Sequence, residues 1–195
     1  ITSMEQTYLI IIGSLGVMTY ASAVYQMLYS GYSPSFFSRG VWLLLGINSF
    51  IGVLFGDGTK QSVLLALTLL IGNLAVFLVS YKKGSREFGK VEKVSLVLLI
   101  FALLVWFVFK APFLTLIISL VAHFVGGVPT ISRTIARPEN EQAVHWYFFF
   151  VASIVSIVAS QDKSISAILF PVYVAFFDGV IIVLANRKKL QKMLS

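Results

Sequence analysis

The segment ISAILFPVYVAFFDGVIIVLA, residues Ile165–Ala185, decides the fold because it is long and almost wholly apolar. A helix that crosses the hydrocarbon core of a bilayer needs about 20 such residues. Six further segments approach that length: Tyr8–Leu28, Gly40–Phe55, Val63–Ser80, Val94–Phe109, Ala111–Val128 and Ala143–Ala159. The apolar runs do not alternate as the strands of a lipid-facing barrel do. The sequence therefore predicts an all-α integral membrane protein with seven transmembrane helices.

The composition favours a membrane over water as the environment of the chain. Of the 195 residues, 58% are hydrophobic and 12% are charged, whereas roughly a quarter of the residues in an average soluble domain are charged. A soluble chain of this size cannot bury so much apolar surface, because small domains bury the smallest fraction of their surface. The chain has no cysteine, which excludes disulfides and thiolate metal sites.

The distribution of basic residues predicts the orientation in the membrane, because cytoplasmic loops are enriched in lysine and arginine. With the N-terminus outside, 12 of the 15 basic residues fall on the cytoplasmic side, and only Lys60, Lys110 and Lys163 fall outside. This split predicts a cytoplasmic C-terminus and a multi-pass protein of the plasma or inner membrane. The net charge of +7 then indicates contact with anionic lipid, and not with nucleic acid.

The chain also resembles itself at a spacing of 104 to 105 residues. The matches pair Pro34 with Pro138, Trp42 with Trp146, Ser49 with Ser153, and Asn73 with Asp178. Helices one to three therefore resemble helices five to seven, and the fourth helix is an unmatched linker. Because a single linker helix gives both three-helix units the same orientation, the repeats are predicted to be parallel and related by an axis along the membrane normal.

This 3+1+3 plan, two parallel three-helix bundles joined by a linker helix, divides the chain into five parts. Residues 1–7 are expected to form a short N-terminal tail, in which Ile1–Ser3 would precede a natural start at Met4. The remaining parts are the first three-helix bundle (8–81), a basic cytoplasmic loop with the linker helix (82–110), the second three-helix bundle (111–189) and a C-terminal tail (190–195).

The plan resembles the SWEET and PQ-loop superfamily of small-solute transporters over nearly the whole chain. That family carries Pro-Gln near the cytoplasmic end of the first helix of each triplet. Val128-Pro129-Thr130 stands there in the second triplet and Tyr25-Gln26 in the first, so both motifs are degenerate. Trp42 and Trp146 lie at the opposite end of the second helix from the family's tryptophans, so we assign neither to the pocket that the resemblance implies.

Four polar side chains within the spans are predicted to line that pocket. The family places a polar residue in the third helix of each triplet, facing the pocket, and Asn73 and Asp178 stand there. A charged group such as Asp178 at the centre of a bilayer costs about 2.5–3.5 kcal/mol on insertion scales and usually faces a cavity or a partner. Asn48 and His123 are weaker candidates. Each of the four also has a packing interpretation, since buried polar side chains hydrogen-bond neighbouring helices.

Glycine and proline predict hinges in the fifth and seventh helices, because they bend helices and free backbone carbonyls. Gly126, Gly127 and Pro129 are the predicted hinge residues of the fifth helix. Pro171 has the same predicted role in the seventh, two turns before Asp178.

These features predict a transporter of a small polar solute, either a facilitator or a proton-coupled one, that works by alternating access. A receptor or sorting protein of similar fold, which binds a ligand without net transport, is the second hypothesis, and an integral membrane enzyme is the third. The sequence has no Gly-rich phosphate loop, paired carboxylate or nucleophile elbow, so we expect no enzymatic activity, no cofactor and no metal. The oligomeric state stays open.

Overall fold

The computed structural model describes residues 3–30, 36–84, 86, 89–136, 138 and 144–194. Within these residues the chain is all-helical, with no strand. Its helices are α1 (Ser3–Tyr29), α2 (Phe36–Phe55), α3 (Lys60–Lys83), α4 (Lys90–Phe109), α5 (Pro112–Ala136), α6 (Val144–Ala159) and α7 (Ile165–Leu194). Each corresponds to one predicted segment, so the prediction of seven helices is confirmed. Ile1, Pro34 and Ala143 lie outside the described residues.

The helices differ in how much apolar length they offer to a membrane. Four of them, α1, α3, α5 and α7, are long and apolar enough to cross one. The apolar stretches of the other three are shorter and cover Arg39–Phe55, Leu96–Phe109 and Val144–Ala159. The helices α2 and α4 nevertheless have 20 residues each, since both extend beyond the apolar segments that the sequence predicts. Helix also continues into both predicted tails, from Ser3 and to Leu194.

The turns before α3 and α7 follow from local chemistry. The backbone of Asp57 has a φ of 60°, a left-handed conformation that aspartate tolerates better than most residues. Thr59 then caps α3, because its side-chain oxygen accepts a hydrogen bond from the backbone N–H of Ser62 at 3.3 Å. In the turn before α7, the carboxylate of Asp162 accepts a hydrogen bond from the backbone N–H of Ser164 at 2.7 Å. Side-chain oxygens therefore satisfy backbone donors where each helix begins.

The seven helices pack in a regular pattern. Helix α3 packs against both α1 and α2, and α7 packs against both α5 and α6. In addition, α1 lies along α6, α2 lies along α5, and α3 touches α7. The largest buried apolar cluster includes Ile12 of α1, Leu65 of α3, Leu116 of α5, Phe149 of α6 and Phe170 of α7. A second, smaller cluster fixes α4 against α2 and α5.

Much of the apolar surface faces outward. In the apolar windows of the four long helices, only 17% to 44% of the residues are buried inside the protein. Large side chains on the outside include Leu78, Val108 and Phe109, which are 61%, 68% and 71% exposed. Soluble monomers rarely expose continuous apolar surface on this scale, because it promotes association in water. The outer face is therefore suited to contact with lipid.

Candidate functional site

A cavity of about 40 Å³ lies where α1, α2, α3, α5, α6 and α7 meet. This space is sufficient for small molecules such as water. Most of its wall is aromatic and consists of Tyr20, Trp42, Trp146, Phe149, Tyr173 and Phe177. Leu69 and Val174 add aliphatic surface, and His123 and Asp178 add polar groups. The site is therefore small and ring-lined, with few polar atoms.

Helix α7 contributes more of the wall than any other element. Tyr173, Val174, Phe177 and Asp178 all line the cavity, and their spacing of one, four and five residues places them on one face of a helix. This face is apolar except for the Tyr173 hydroxyl and the Asp178 carboxyl group. The periodicity of α7 therefore delivers one acid and two aromatic rings to the same space.

Asp178 is the most unusual side chain of the cavity. It is 3% exposed, and its Oδ2 atom is buried with no hydrogen-bond partner among the described residues. A buried polar atom without a partner costs about 1–3 kcal/mol, and more when it is charged. A water, a proton or a ligand in the cavity would remove that cost. The carboxyl group therefore supplies an open acceptor at a place where a small molecule fits.

His123 is held in the cavity wall by contacts on several sides. Its Nδ1 atom lies 2.7 Å from the hydroxyl oxygen of Tyr173, and the two groups share a hydrogen bond. Its ring meets Trp42 edge to face at a centroid distance of 4.3 Å and Phe177 at 5.3 Å. These contacts connect α5 to α2 and α7. His123 therefore positions the aromatic wall and also orients the Tyr173 hydroxyl.

The two predicted asparagines are buried, but they are not among the described residues that line the cavity. Asn48 donates a hydrogen bond from Nδ2 to the hydroxyl of Ser119, which joins α2 to α5. This contact is the packing role that a buried asparagine commonly has between helices. Asn73 lies one turn after Leu69 on α3, and its Nδ2 atom has no partner among the described residues. Its side chain lies beside Gly46 of α2.

Sequence reasoning missed the aromatic wall. From their position in their helices, Trp42 and Trp146 are not expected in the pocket, yet both line the cavity. Their rings lie 6.4 Å and 6.0 Å from the ring of Phe177, centroid to centroid, so Phe177 contacts both. Their match in the internal repeat was the available signal. Tyr20, Phe149 and Tyr173 gave none, since aromatic residues are common in apolar helices.

Two glycines make room for the rings of the wall. A Cβ atom on Gly72 would lie 2.0 Å from the ring of Tyr20, and a Cβ atom on Gly127 would lie 2.3 Å from Cζ of Phe177. Gly127 was predicted as a hinge, and its hydrogen side chain also has this packing role. Helix α5 continues from Pro112 to Ala136 across all three predicted hinge residues, so hinge motion there stays a prediction. The side chain of Pro129 lies outside the described part of the chain.

Pro171 creates a contact between α3 and α7. Proline lacks the N–H group that would bond to the carbonyl four residues earlier, which here is the carbonyl of Ala167. The hydroxyl of Ser62 on α3 donates a hydrogen bond to that carbonyl at 2.7 Å. Ser62 is fully buried, so this bond ties the first turns of the two helices together at the end that faces away from Trp42 and Trp146.

Comparison of the chain with models of known protein families, with curated proteins and with solved structures finds no match. The site must therefore be interpreted from its own geometry.

Proposed function

We propose that this chain is a multi-pass membrane protein that transports a small polar solute by alternating access. The observation that carries the proposal is Asp178, which lines the cavity and whose Oδ2 atom has no hydrogen-bond partner among the described residues. Polar groups inside membrane helices are rare because of their cost, and they commonly mark a path for a solute or a proton. A carboxyl group used only for packing would be expected to have its oxygens bonded to a neighbouring helix.

Insertion into a membrane is supported by the outer surface. The exposed residues of the long helices are mainly large and apolar. Leu78 and Phe176, for example, are 61% and 58% exposed. Each of these helices has at least 23 residues in the span that suits a membrane, and about 20 are enough to cross the hydrocarbon core. Helices α2, α4 and α6 would cross beside them, with less apolar length.

The 3+1+3 arrangement is supported by the pattern of helix contacts. Exchanging α1, α2 and α3 with α5, α6 and α7 turns the contact of α1 with α6 into the contact of α5 with α2, and both contacts exist. The same exchange relates the packing of α3 between its neighbours to that of α7. Ser62 and Ala167, which are hydrogen-bonded, also stand 105 residues apart. These relations are expected of two parallel repeats around a common axis.

Alternating access is supported by two sets of contacts toward opposite ends of the helices, which would act as barriers on the two sides of the cavity. On one side, the bond from Ser62 to Ala167 holds α3 against α7. On the other side, the ring of Phe177 contacts the rings of both Trp42 and Trp146. A rocking motion of one bundle against the other would open one barrier while the other stays closed. In the proposed orientation, the Ser62 side faces outward and the tryptophan side faces the cytoplasm.

Net flux is the measurement that separates the three hypotheses. The purified protein would be reconstituted into vesicles and tested with a panel of small metabolites for uptake, and in parallel for stabilisation against unfolding. A transporter gives uptake and stabilisation by the same solute. Stabilisation without uptake would favour a receptor or sorting protein, and product formation without uptake would favour an enzyme. Either result would reject the transport proposal.

The proposed orientation is tested by labelling single cysteines in this cysteine-free chain. Arg86 and Asp162 are both exposed and would lie on opposite sides of the membrane. In intact cells, a membrane-impermeant thiol reagent is expected to label Asp162→Cys but to label Arg86→Cys only after the membrane is opened. The basic residues near Arg86 are the physical reason, since they are retained on the cytoplasmic side. Labelling of Arg86→Cys in intact cells would show that the orientation is the reverse of the one proposed.

A further inference from the structure

We propose that the cavity binds a small organic cation, namely a primary ammonium group carried on a short alkyl chain, with Asp178 as its counter-ion and the surrounding aromatic rings as its cage. This inference rests on the proposed transport function and names the class of solute that the same site would accept. Three properties of the cavity support it: the chemistry of its wall, the open acceptor on Asp178, and its volume.

The wall of the cavity presents six aromatic side chains. The face of an aromatic ring is electrically negative, and it attracts ammonium groups that lie within about 6 Å of its centre. The protein already uses this property nearby, because the guanidinium carbon of Arg39 lies 5.8 Å from the centroid of Trp42. Aromatic rings attract ligand cations, ammonium groups among them, whereas they offer few hydrogen bonds to a sugar or another neutral polyol.

Asp178 supplies the charge that a cation needs. An ammonium group has three N–H donors, so it would satisfy the buried Oδ2 atom that has no hydrogen-bond partner among the described residues. A hard metal ion fits the site less well, because such ions require six or more oxygen ligands. In the described part of the chain, no three histidine, cysteine or acidic side chains come together to hold a metal ion.

The volume of the cavity limits the size of the cation. A space of about 40 Å³ is enough for a few small groups, so we choose ethylammonium, the cation of a short primary amine, as the probe. A ligand of that size reaches a dissociation constant of about 0.5 mM at best. Binding must therefore be measured at millimolar concentrations.

The probe is ethylammonium chloride at up to 50 mM, compared with ethanol and with sodium chloride at the same concentrations. Ethanol has the same number of non-hydrogen atoms without the charge, and sodium chloride controls for ionic strength. The readout is the unfolding temperature of the purified protein in detergent. We expect ethylammonium to raise this temperature by a few degrees, because it binds only the folded state. An equal rise with ethanol or sodium chloride, or no rise at 50 mM ethylammonium, would overturn the proposal.

Two sets of variants assign the effect to the cavity. Asp178→Asn is expected to lose the stabilisation by ethylammonium, whereas Asp57→Asn, which removes a carboxylate from an exposed turn, should retain it. Trp42→Leu should weaken binding by roughly 2- to 30-fold, and Trp42→Phe should preserve most of it because a ring remains. Unchanged binding in Trp42→Leu would contradict the proposed role of the aromatic rings in binding the cation. Because Trp42→Leu and Trp42→Phe retain Asp178, they test the site even if Asp178→Asn does not fold.

The flux assay distinguishes a failure of this inference from a failure of the proposed function. Uptake of a neutral metabolite without any specific effect of ethylammonium would reject the cation and leave transport intact. Stabilisation by ethylammonium that requires Asp178, without uptake of any amine or metabolite, would support the cation site and reject transport.

Discussion

Replacing Asp178 with asparagine is expected to abolish most solute flux while leaving the yield and unfolding temperature of the protein nearly unchanged. Asparagine keeps the size of the side chain and one carbonyl oxygen, but it removes the negative charge and the ability to carry a proton. Hydrogen bonds to charged groups contribute about 1.5–3 kcal/mol, so flux at limiting solute should fall by roughly 10- to 150-fold. The measurement is initial uptake into vesicles that contain equal amounts of folded protein.

The same variant also tests proton coupling. The other titratable groups in the cavity wall are His123, Tyr20 and Tyr173. If Asp178 carries the coupled proton, the residual flux of Asp178→Asn should no longer depend on pH. The matched control is Asp57→Asn, which replaces an exposed acid. Asparagine tolerates the left-handed backbone of that position. Normal and pH-dependent flux in Asp178→Asn would show that the acid has no role in transport.

The second large effect is expected from Gly72→Ala, which should both destabilise the protein and reduce flux. The new Cβ atom would lie 2.0 Å from the ring of Tyr20, so the ring must move, and Tyr20 lines the cavity. Overpacking of this kind costs about 1–3 kcal/mol, which corresponds to a fall of roughly 2–12 °C in unfolding temperature. Thermal unfolding and uptake of the same preparation measure the two effects.

Gly13→Ala is the matched control for this prediction. A Cβ atom on Gly13 would lie 3.9 Å from its nearest neighbour, a methyl group of Leu64, which is an ordinary contact distance. Alanine favours helix over glycine by about 1 kcal/mol, so this variant should be as stable as the parent or more stable. If the ring of Tyr20 causes the effect, adding Tyr20→Leu to Gly72→Ala should cost less than the sum of the two changes. Additive costs would contradict that explanation.

The fold was predictable because its controlling signals are local. Each helix is marked by an apolar run of nearly membrane length, and turns such as Gly56–Gly58 interrupt the runs where helices end. The exact ends of the helices were harder to predict. Apolar length alone does not locate a helix end where polar residues continue the helix, as they do from Lys90 into α4 and from Ser80 to Lys83 in α3.

The residues of the site were predictable only where a polar side chain stands in an apolar helix, because burying such a side chain costs free energy. Asp178 and His123 stand out because polar groups are rare in apolar helices, and both line the cavity. Asn48 and Asn73 stand out equally, but sequence does not tell which face of a helix turns to a cavity and which to a neighbour. Tyr20 is the opposite case, since its place in the wall depends on Gly72 of another helix, a relation that exists only after packing.

The most direct test of transport is the accessibility of a cysteine in the cavity from each side of the membrane. Val174 lines the cavity. Because the natural chain has no cysteine, a cysteine placed at this position is the only thiol in the variant. Val53→Cys is the control, because Val53 belongs to the same buried cluster as Val174 but is not among the described residues that line the cavity. Alternating access predicts that an impermeant thiol reagent modifies Val174→Cys when it is applied to either side, and modifies Val53→Cys from neither. Reaction of Val174→Cys from one side only, or from neither, would contradict the account.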